Sequence, residues 1–152
     1  MAFVDDQAVL DTNVVLKMFF QENDSDKADL LLSRFEAGRL QIVVPSFLPL
    51  ELTNVLWLRV RHKNSTRMEC ELVLARFLAL AAKMDLADPA PLLTRALAKS
   101  IDYDHAAYDT AFIALAERLK IPFVTADTIL YRKASARSQF VVALRTLQFA
   151  AD

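Results

Sequence analysis

Four acidic side chains interrupt apolar stretches of this chain, where an uncompensated charge is costly to bury. Asp11, Glu51, Asp109 and Asp127 each stand at the end of, or inside, a run of residues that would otherwise bury well. No lysine or arginine is adjacent in sequence to any of them. Buried carboxylates are paired, protonated or bound to metal, and one hard divalent cation can satisfy several of them together. Metal chemistry is therefore the first function to consider.

Each acid also has an ordinary structural interpretation when it is taken alone. Asp11 and Asp127 follow predicted strands, where an aspartate often caps the next helix. Asp109 lies about one turn into a predicted helix, whose N-terminus favours negative charge by about 0.3–1 kcal/mol. Glu51 is harder to explain in this way, because it lies on or beside the apolar face of its helix. Only the four acids taken together indicate a shared site.

Clustered carboxylates that hold Mg²⁺ or Mn²⁺ suit phosphodiester cleavage, because the metal activates water and stabilises charge on the phosphate. Next to Asp11, the side chains of Thr12 and Asn13 can either cap the following helix or hold the Asp11 carboxylate by hydrogen bonds. Crowded acids raise one another's pKa when no metal is bound. We therefore expect millimolar Mg²⁺ or Mn²⁺ to stabilise the folded protein.

Strands that alternate with helices must bring these distant segments together. Short β-rich or extended runs occupy residues 7–10, 40–44, 84–86, 122–125 and 140–144. Their alternation with helical periods predicts an α/β fold, a three-layer α/β/α sandwich around a central parallel sheet of four to five strands. In such folds, sites form at the carboxyl ends of the strands, where Asp11 and Asp127 both fall.

Helix boundaries are predicted from capping and terminating residues. Gly38 and the Ile121–Pro122 pair each end a helical period. The predicted N-terminal caps are Ser25 with Asp26, Ser46, Ser65 with Thr66, Asp104 and Asp127.

Composition narrows the class of protein. A chain of 152 residues that is 55% hydrophobic and 24% charged fits a single domain over residues 1–152. The single cysteine, Cys70, excludes an internal disulfide and a cysteine-based zinc site, and the single glycine, Gly38, excludes dinucleotide and P-loop sites. No segment is typical of a signal peptide or a membrane span, so we expect a cytoplasmic protein. The formal net charge of −1 means that any nucleic-acid contact needs a local basic patch.

Four segments of the chain resemble the motifs of PIN-domain ribonucleases, most closely the toxins of VapBC toxin–antitoxin pairs. They are VLDTNVVL at 9–16, VP at 44–45 followed by LELTNVL at 50–56, HAAYDTAFIALAE at 105–117, and FVTAD at 123–127. The four stand in the family's order and approximate spacing over nearly the whole chain. After Asp127 the chain departs from the family pattern, because Thr128 and Ile129 stand where a basic residue is more usual.

The resemblance implies a Mg²⁺- or Mn²⁺-dependent endoribonuclease that leaves 5′-phosphate and 3′-hydroxyl ends. Asp11, Glu51, Asp109 and Asp127 would be its catalytic, metal-binding acids, and Thr12, Asn13 and Thr125 would support them. It further implies an RNA substrate, a cognate VapB-type antitoxin and a homodimer. Two alternatives stay open: a PIN-domain RNA-processing nuclease without an antitoxin, and a non-catalytic PIN interaction module. The RNA target is not encoded in these motifs.

Several other residues have competing interpretations. Arg132, Lys133 and Arg137 follow Asp127 closely and are candidates for phosphate contact, and the run Arg59, Arg61, His62 and Lys63 either offsets a helix dipole or contacts RNA. Asp102 and Asp104 either assist a second metal or cap a helix, and His62 and His105 are assigned surface or capping roles. Phe19, Phe20 and Leu30 to Leu32 either fill the core or line a groove for an antitoxin helix, and Trp57 is a core, dimer or partner contact.

Overall fold

The computed structural model describes residues 3–149, in which every strand pairing is parallel. The strands are β1 (Phe3–Val4), β2 (Gln7–Leu10), β3 (Gln41–Pro45), β4 (Asp85–Ala87), β5 (Phe123–Thr125), β6 (Val141–Ala143) and β7 (Gln148–Phe149). The helices are α1 (Thr12–Leu16), α2 (Ser25–Glu36), α3 (Leu48–Arg61), α4 (Arg67–Ala81), α5 (Leu93–Tyr103), α6 (Ala107–Leu119) and α7 (Thr128–Ala134). The predicted α/β/α fold with a parallel sheet is confirmed.

The main sheet has five strands in the order β4-β3-β2-β5-β6. After β2 the chain adds β3 and β4 on one side, then returns to place β5 on the other side of β2. The direction of strand addition therefore changes between β2 and β5. Ligand sites in open parallel sheets form at such a switch point, outside the carboxyl ends of the strands.

Buried apolar side chains hold the sheet between its helices. Val9, Ile42 and Val44 are fully buried strand residues, as expected of β-branched side chains in a covered parallel sheet. Phe112 of α6 stacks on Phe123 of β5 with ring centroids 5.7 Å apart, and both rings are fully buried. This contact fixes α6 against the strand that leads to Asp127.

Some helix boundaries follow the predicted capping residues. Thr66 caps α4 through a reciprocal pair of hydrogen bonds with Glu69, which form a capping box. Asp127 caps α7, and α6 ends at Leu119, directly before the Ile121–Pro122 pair. These helix ends depend on capping and terminating residues that lie next to them in the sequence, so the sequence alone predicts them.

Other predicted caps are wrong. Ser46 lies outside α3, whose N-cap position is Phe47, and Asp24 rather than Ser25 or Asp26 holds the N-cap position of α2. Asp104 ends α5 in a left-handed conformation with φ of 51° instead of beginning α6. Asp and Asn tolerate this region better than most residues, so an aspartate between two helices fits either role.

Helix α5 and the small β1–β7 sheet are not predicted from the sequence. The apolar residues of α5, Leu93, Leu97 and Ile101, recur at helical spacing, yet they are 58%, 60% and 72% exposed. The buried residues of α5 are Ala96 and Tyr103 instead, and Ser100 and the backbone carbonyl of Ala96 bond the Thr110 hydroxyl of α6. Within residues 3–149, no helix is long and apolar enough to cross a membrane.

Candidate metal centre

The switch point between β2 and β5 carries two of the four acids. Asp11 follows the last residue of β2 and is only 3% exposed, and its backbone N–H donates to the carbonyl of Val124 in β5. Asp127 lies two residues beyond the end of β5. Two strand ends that are neighbours in the sheet thus place both acids at one edge.

The other two acids approach from helix N-termini. Glu51 lies in the first turn of α3 and Asp109 in the first turn of α6. The partial positive charge at a helix N-terminus stabilises a carboxylate there. Oxygens of Asp11, Glu51 and Asp109 all lie within 4.8 Å of one another, so three distant segments meet in one acidic group. Between described residues, none of the ion pairs joins this group to a lysine or arginine.

Burial and mutual repulsion raise the pKa of this group. The pKa of Asp11 is raised to about 7. Burial is the largest cause, the hydrogen bond from Thr125 opposes it, and the charges of Asp109 and Glu51 act in the same direction as burial. Burial also raises the pKa of Glu51 and of Asp109. The group is therefore electrostatically unfavourable when its members are ionised and uncompensated.

The Asp11 carboxylate is held in place by two polar neighbours. Its Oδ2 accepts a hydrogen bond of 2.7 Å from the Thr125 hydroxyl and one of 3.3 Å from the Asn13 amide. Thr125 in turn accepts from the backbone N–H of Asp127, and Asn13 accepts from that of Ala126. Thr125 and Asn13, both expected to support the acids, therefore tie the loop after β5 to the end of β2.

Oε2 of Glu51 and Oγ1 of Thr12 are buried without a hydrogen bond of good geometry in the described part of the site, although the Thr12 hydroxyl lies close enough to Glu51 to lower the pKa of that carboxyl against the effect of burial. A buried carboxylate oxygen without a donor costs about 1–3 kcal/mol or more. Carboxylate and hydroxyl oxygens are the donors that Mg²⁺ and Mn²⁺ prefer. The orphaned Glu51 oxygen and the all-oxygen donor set therefore fit a divalent cation.

A second group of ligand-type atoms contains a residue that sequence reasoning missed. His105, Asp109 and Asp127 each offer one atom, and these atoms lie within 4.8 Å of one another. His105 Nε2 is 2.8 Å from Asp109 Oδ2 and 4.0 Å from Asp127 Oδ2. The sequence signal that could have indicated His105 is its four-residue spacing from Asp109. The predicted surface or capping role does not describe this side chain, which is 13% exposed.

The three basic candidates for phosphate contact differ in their surroundings. Lys133 donates to the backbone carbonyl of Asp104 at 2.6 Å, and Arg137 donates to that of Asp102 at 2.7 Å. Arg132 is exposed and lines a pocket that also contains Asp127. The side chains of Asp102 and Asp104 are exposed, and neither belongs to the two ligand groups.

The proposed apolar groove at the first two helices is only partly accessible. Leu31 is fully buried, whereas Leu30 is 48% exposed. The half-buried rings of Phe19 and Phe20 are covered by the guanidinium groups of Arg76 and Arg59. Core filling is thus the role of Leu31. Trp57 is 54% exposed and is not a core anchor.

The sequence matches the model of the PIN domain family over residues 8–136, and the chain belongs to that family. No curated protein matches the sequence. Among solved structures, a protein from Pyrobaculum aerophilum superposes with a TM-score of 0.67 at 14% identity, covering 93% of this chain and 91% of the other.

Two further solved structures share the fold. A toxin–antitoxin complex from Klebsiella pneumoniae matches with a TM-score of 0.61 at 17% identity, covering 90% of this chain and 97% of the other. FitAcB from Neisseria gonorrhoeae matches with a TM-score of 0.59 at 18% identity, covering 90% and 95%. At these identities the likeness concerns the fold.

Proposed function

We propose that this protein is a metal-dependent endoribonuclease and the toxin component of a type II toxin–antitoxin system. The observation that carries the proposal is the meeting of Asp11, Glu51 and Asp109, with Glu51 Oε2 buried and unpaired. Membership of the PIN family supports it, because PIN domains are generally metal-dependent nucleases.

In this proposal the acids have different roles. Asp11, Glu51 and Asp109 hold Mg²⁺ or Mn²⁺ through oxygen, while Asn13 and Thr125 keep the Asp11 carboxylate oriented. A bound divalent cation would lower the pKa of a coordinated water and stabilise charge on the scissile phosphate. Asp127 lies beside Asp109 in the second group, which it shares with His105.

An open cleft beside the acids suits single-stranded RNA. Phe47, Leu50, Glu51, Tyr108 and Asp109 line it, together with Asn54 and Ala106. The Tyr108 ring is 67% exposed and rests edge-on against Phe47, with centroids 5.7 Å apart. Exposed aromatic rings stack on unpaired bases, so Tyr108 can hold a base next to a phosphate at the acids. Arg132, exposed beyond Asp127, provides a phosphate contact.

The toxin role and its antitoxin are supported by the fold comparisons. The Klebsiella pneumoniae structure is a toxin–antitoxin complex, and its fold covers 90% of this chain. We expect a cognate antitoxin to bind this protein and inhibit it. If no antitoxin gene neighbours this one and free expression leaves growth unchanged, an RNA-processing nuclease replaces the toxin.

We also propose a homodimer, and the exposed stripe of α5 supports it. Leu93, Leu97 and Ile101 point away from α6, whereas Lys99 and Glu117 form an ion pair across the α5–α6 contact. The leucine and isoleucine side chains of this stripe therefore lie on the solvent side of α5, the reverse of the usual arrangement in a surface helix. A second copy of this chain would bury that stripe.

Substitution of the acids tests the nuclease function. Asp11→Asn and Asp109→Asn should each lower metal-dependent cleavage of single-stranded RNA at least about 100-fold, because each removes a charged metal ligand. The measurement is the cleavage rate with Mg²⁺ or Mn²⁺ and with EDTA.

Asp29→Asn, an exposed aspartate of α2, is the matched control and should cleave like the wild type. Cleavage by Asp11→Asn at the wild-type rate would contradict the assignment. Partner binding without any metal-dependent cleavage by the wild type would favour the non-catalytic module.

A further inference from the structure

The imidazole of His105 is hydrogen-bonded to Asp109, which also belongs to the all-oxygen group. Its Nε2 is 2.8 Å from Asp109 Oδ2 and 4.0 Å from Asp127 Oδ2, and the three ligand-type atoms lie within 4.8 Å of one another. Two atoms that bind one cation at about 2.0–2.2 Å lie roughly 2.8–4.4 Å apart, and the distances of 2.8 and 4.0 Å from the imidazole fall in that range. Asp109 belongs to both groups, so it joins them.

The fold orients Oδ2 of Asp127, the carboxylate oxygen that does not cap α7. Oδ1 of Asp127 accepts two backbone N–H groups of α7, those of Ile129 and Leu130, at 2.9 and 3.0 Å. This cap fixes the carboxylate plane and leaves Oδ2 on the side of His105. The role of Asp127 as a helix cap and its role as a ligand are therefore compatible, because each uses a different oxygen.

Hydrogen bonds to neighbouring elements hold the turn that carries His105. The backbone N–H of His105 donates to the carbonyl of Ser100 in the last turn of α5. Asp104, which precedes His105, has a left-handed backbone conformation. Lys133 and Arg137 donate to the carbonyls of Asp104 and Asp102. The Lys133 bond connects the turn to α7, and the Arg137 bond connects the last turn of α5 to the segment that follows α7. Asp127 is the N-cap residue of α7. These two bonds therefore fix the imidazole relative to that acid.

Nitrogen and oxygen ligands differ in the cations that they favour. Mg²⁺ selects oxygen ligands, whereas imidazole suits first-row transition metals. We propose that His105, Asp109 and Asp127 form a second cation site in which the imidazole is a direct ligand and favours Mn²⁺ over Mg²⁺. This inference rests on the proposed function, since it concerns a metal next to the nuclease acids.

Pulsed EPR of bound Mn²⁺ tests direct coordination. The tag-free protein is given less than one equivalent of Mn²⁺ in excess Mg²⁺, so that Mg²⁺ fills the all-oxygen group and Mn²⁺ selects the imidazole. A coupling between Mn²⁺ and a directly bound nitrogen is expected. The chain has two histidines, and the other one, His62, is exposed just after α3, which makes the assignment unambiguous.

Three variants complete the design. His105→Gln should remove the nitrogen coupling and weaken Mn²⁺ binding, measured by calorimetry, at least about tenfold. His105→Asn provides a second variant, and thermal melting verifies that both fold. His62→Gln is the matched control and should keep both the coupling and the affinity.

The outcomes separate this inference from the proposed function. Bound Mn²⁺ without nitrogen coupling, or coupling that survives in His105→Gln, overturns the second site while metal-dependent cleavage by the wild type continues. No binding of Mn²⁺ and no cleavage with either metal overturns the proposed function itself, and the second site with it.

Discussion

At the scale of single residues, the Asp11 carboxyl meets two opposing requirements. Burial in the fold favours its neutral form, whereas metal binding needs its ionised form. Asp11 is 3% exposed and faces Glu51 and Asp109, so its pKa rises to about 7 from an ordinary 3.8. A rise of this size corresponds to about 4 kcal/mol of differential interaction between the two protonation states. The metal-free fold therefore resists ionisation of the group that a metal site needs ionised.

This conflict predicts how stability depends on pH. Below pH 3.8 Asp11 is protonated in both states, and between pH 3.8 and about 7 only the unfolded chain releases the proton. The contribution of Asp11 to the unfolding free energy should therefore fall as pH rises through this interval and level off above it. Thermal melts in EDTA from pH 4 to 8 measure this.

Asp11→Asn removes the titrating group and provides the comparison. In EDTA at pH 8 we expect this variant to melt several degrees above the wild type, because asparagine places no charge at this buried position and removes its repulsion of Glu51 and Asp109. The pH profile of the variant should be flatter. A variant that melts below the wild type at pH 8, or has an identical profile, would contradict the electrostatic account.

Tyr108 offers a second prediction at residue scale. Tyr108→Ala should weaken binding of single-stranded RNA about 5- to 150-fold, because stacking on an aromatic ring contributes about 1–3 kcal/mol per base. Tyr108→Phe keeps the ring and should bind like the parent. Both are measured by fluorescence anisotropy in the non-cleaving Asp11→Asn background. Equal binding by all three proteins would remove Tyr108 from the RNA contact.

At the scale of elements, α7 separates two roles that the sequence combined. Arg132 and Lys133 of α7, and Arg137 just after it, were all candidates for phosphate contact. Lys133 donates to Asp104 in the α5–α6 turn and Arg137 donates to Asp102 in the last turn of α5, whereas Arg132 is exposed and lines a pocket with Asp127. A side chain that donates to a protein carbonyl is oriented by that bond. The three basic residues differ in their position relative to α5 and to the turn that follows it.

The two roles predict different salt dependences of RNA binding. Arg132→Gln should reduce the slope of log K against log salt concentration by about 0.7, the value for one phosphate contact on a single strand. Lys133→Gln should leave the slope unchanged and lower the melting temperature instead. The slopes are measured in the Asp11→Asn background. An unchanged slope for Arg132→Gln would exclude the phosphate contact.

At the scale of the whole molecule, the exposed stripe of α5 predicts the oligomeric state. Leu97→Glu should convert a dimer to a monomer in light scattering, because a buried glutamate at a two-fold interface meets its own copy. Leu72→Glu on α4 is the matched control, since Leu72 and Leu97 are both 60% exposed. A wild-type monomer, or a dimer that survives Leu97→Glu, would contradict the proposed interface.

Local patterns in the sequence were sufficient for much of the fold. The β-rich run before Asp11, the capping box at Thr66 and the helix end before Pro122 each depend on residues within a few positions. Alternation of strands and helices then predicts a parallel sheet with sites at its carboxyl edge. The four acids were visible because each breaks an apolar run.

Where local signals competed, the sequence misled. Asp104 suits both the end of α5 and the start of α6, and only packing between the two helices decides which it serves. The α5 stripe resembles a core face, but α6 contacts α5 through Thr110 and Ser100 instead. Such choices depend on neighbours that are remote in sequence.

The sequence by itself was sufficient to predict the four acids as candidate ligands and the parallel sheet that presents two of them, because burial and periodicity depend on local residue order. The tertiary structure alone decided the grouping: Asp109 joins Asp11 and Glu51 on one side and His105 and Asp127 on the other. Distances between such side chains depend on how α3, α6 and the β5–α7 loop pack around one switch point. That packing is a property of the whole core, and no single segment contains it.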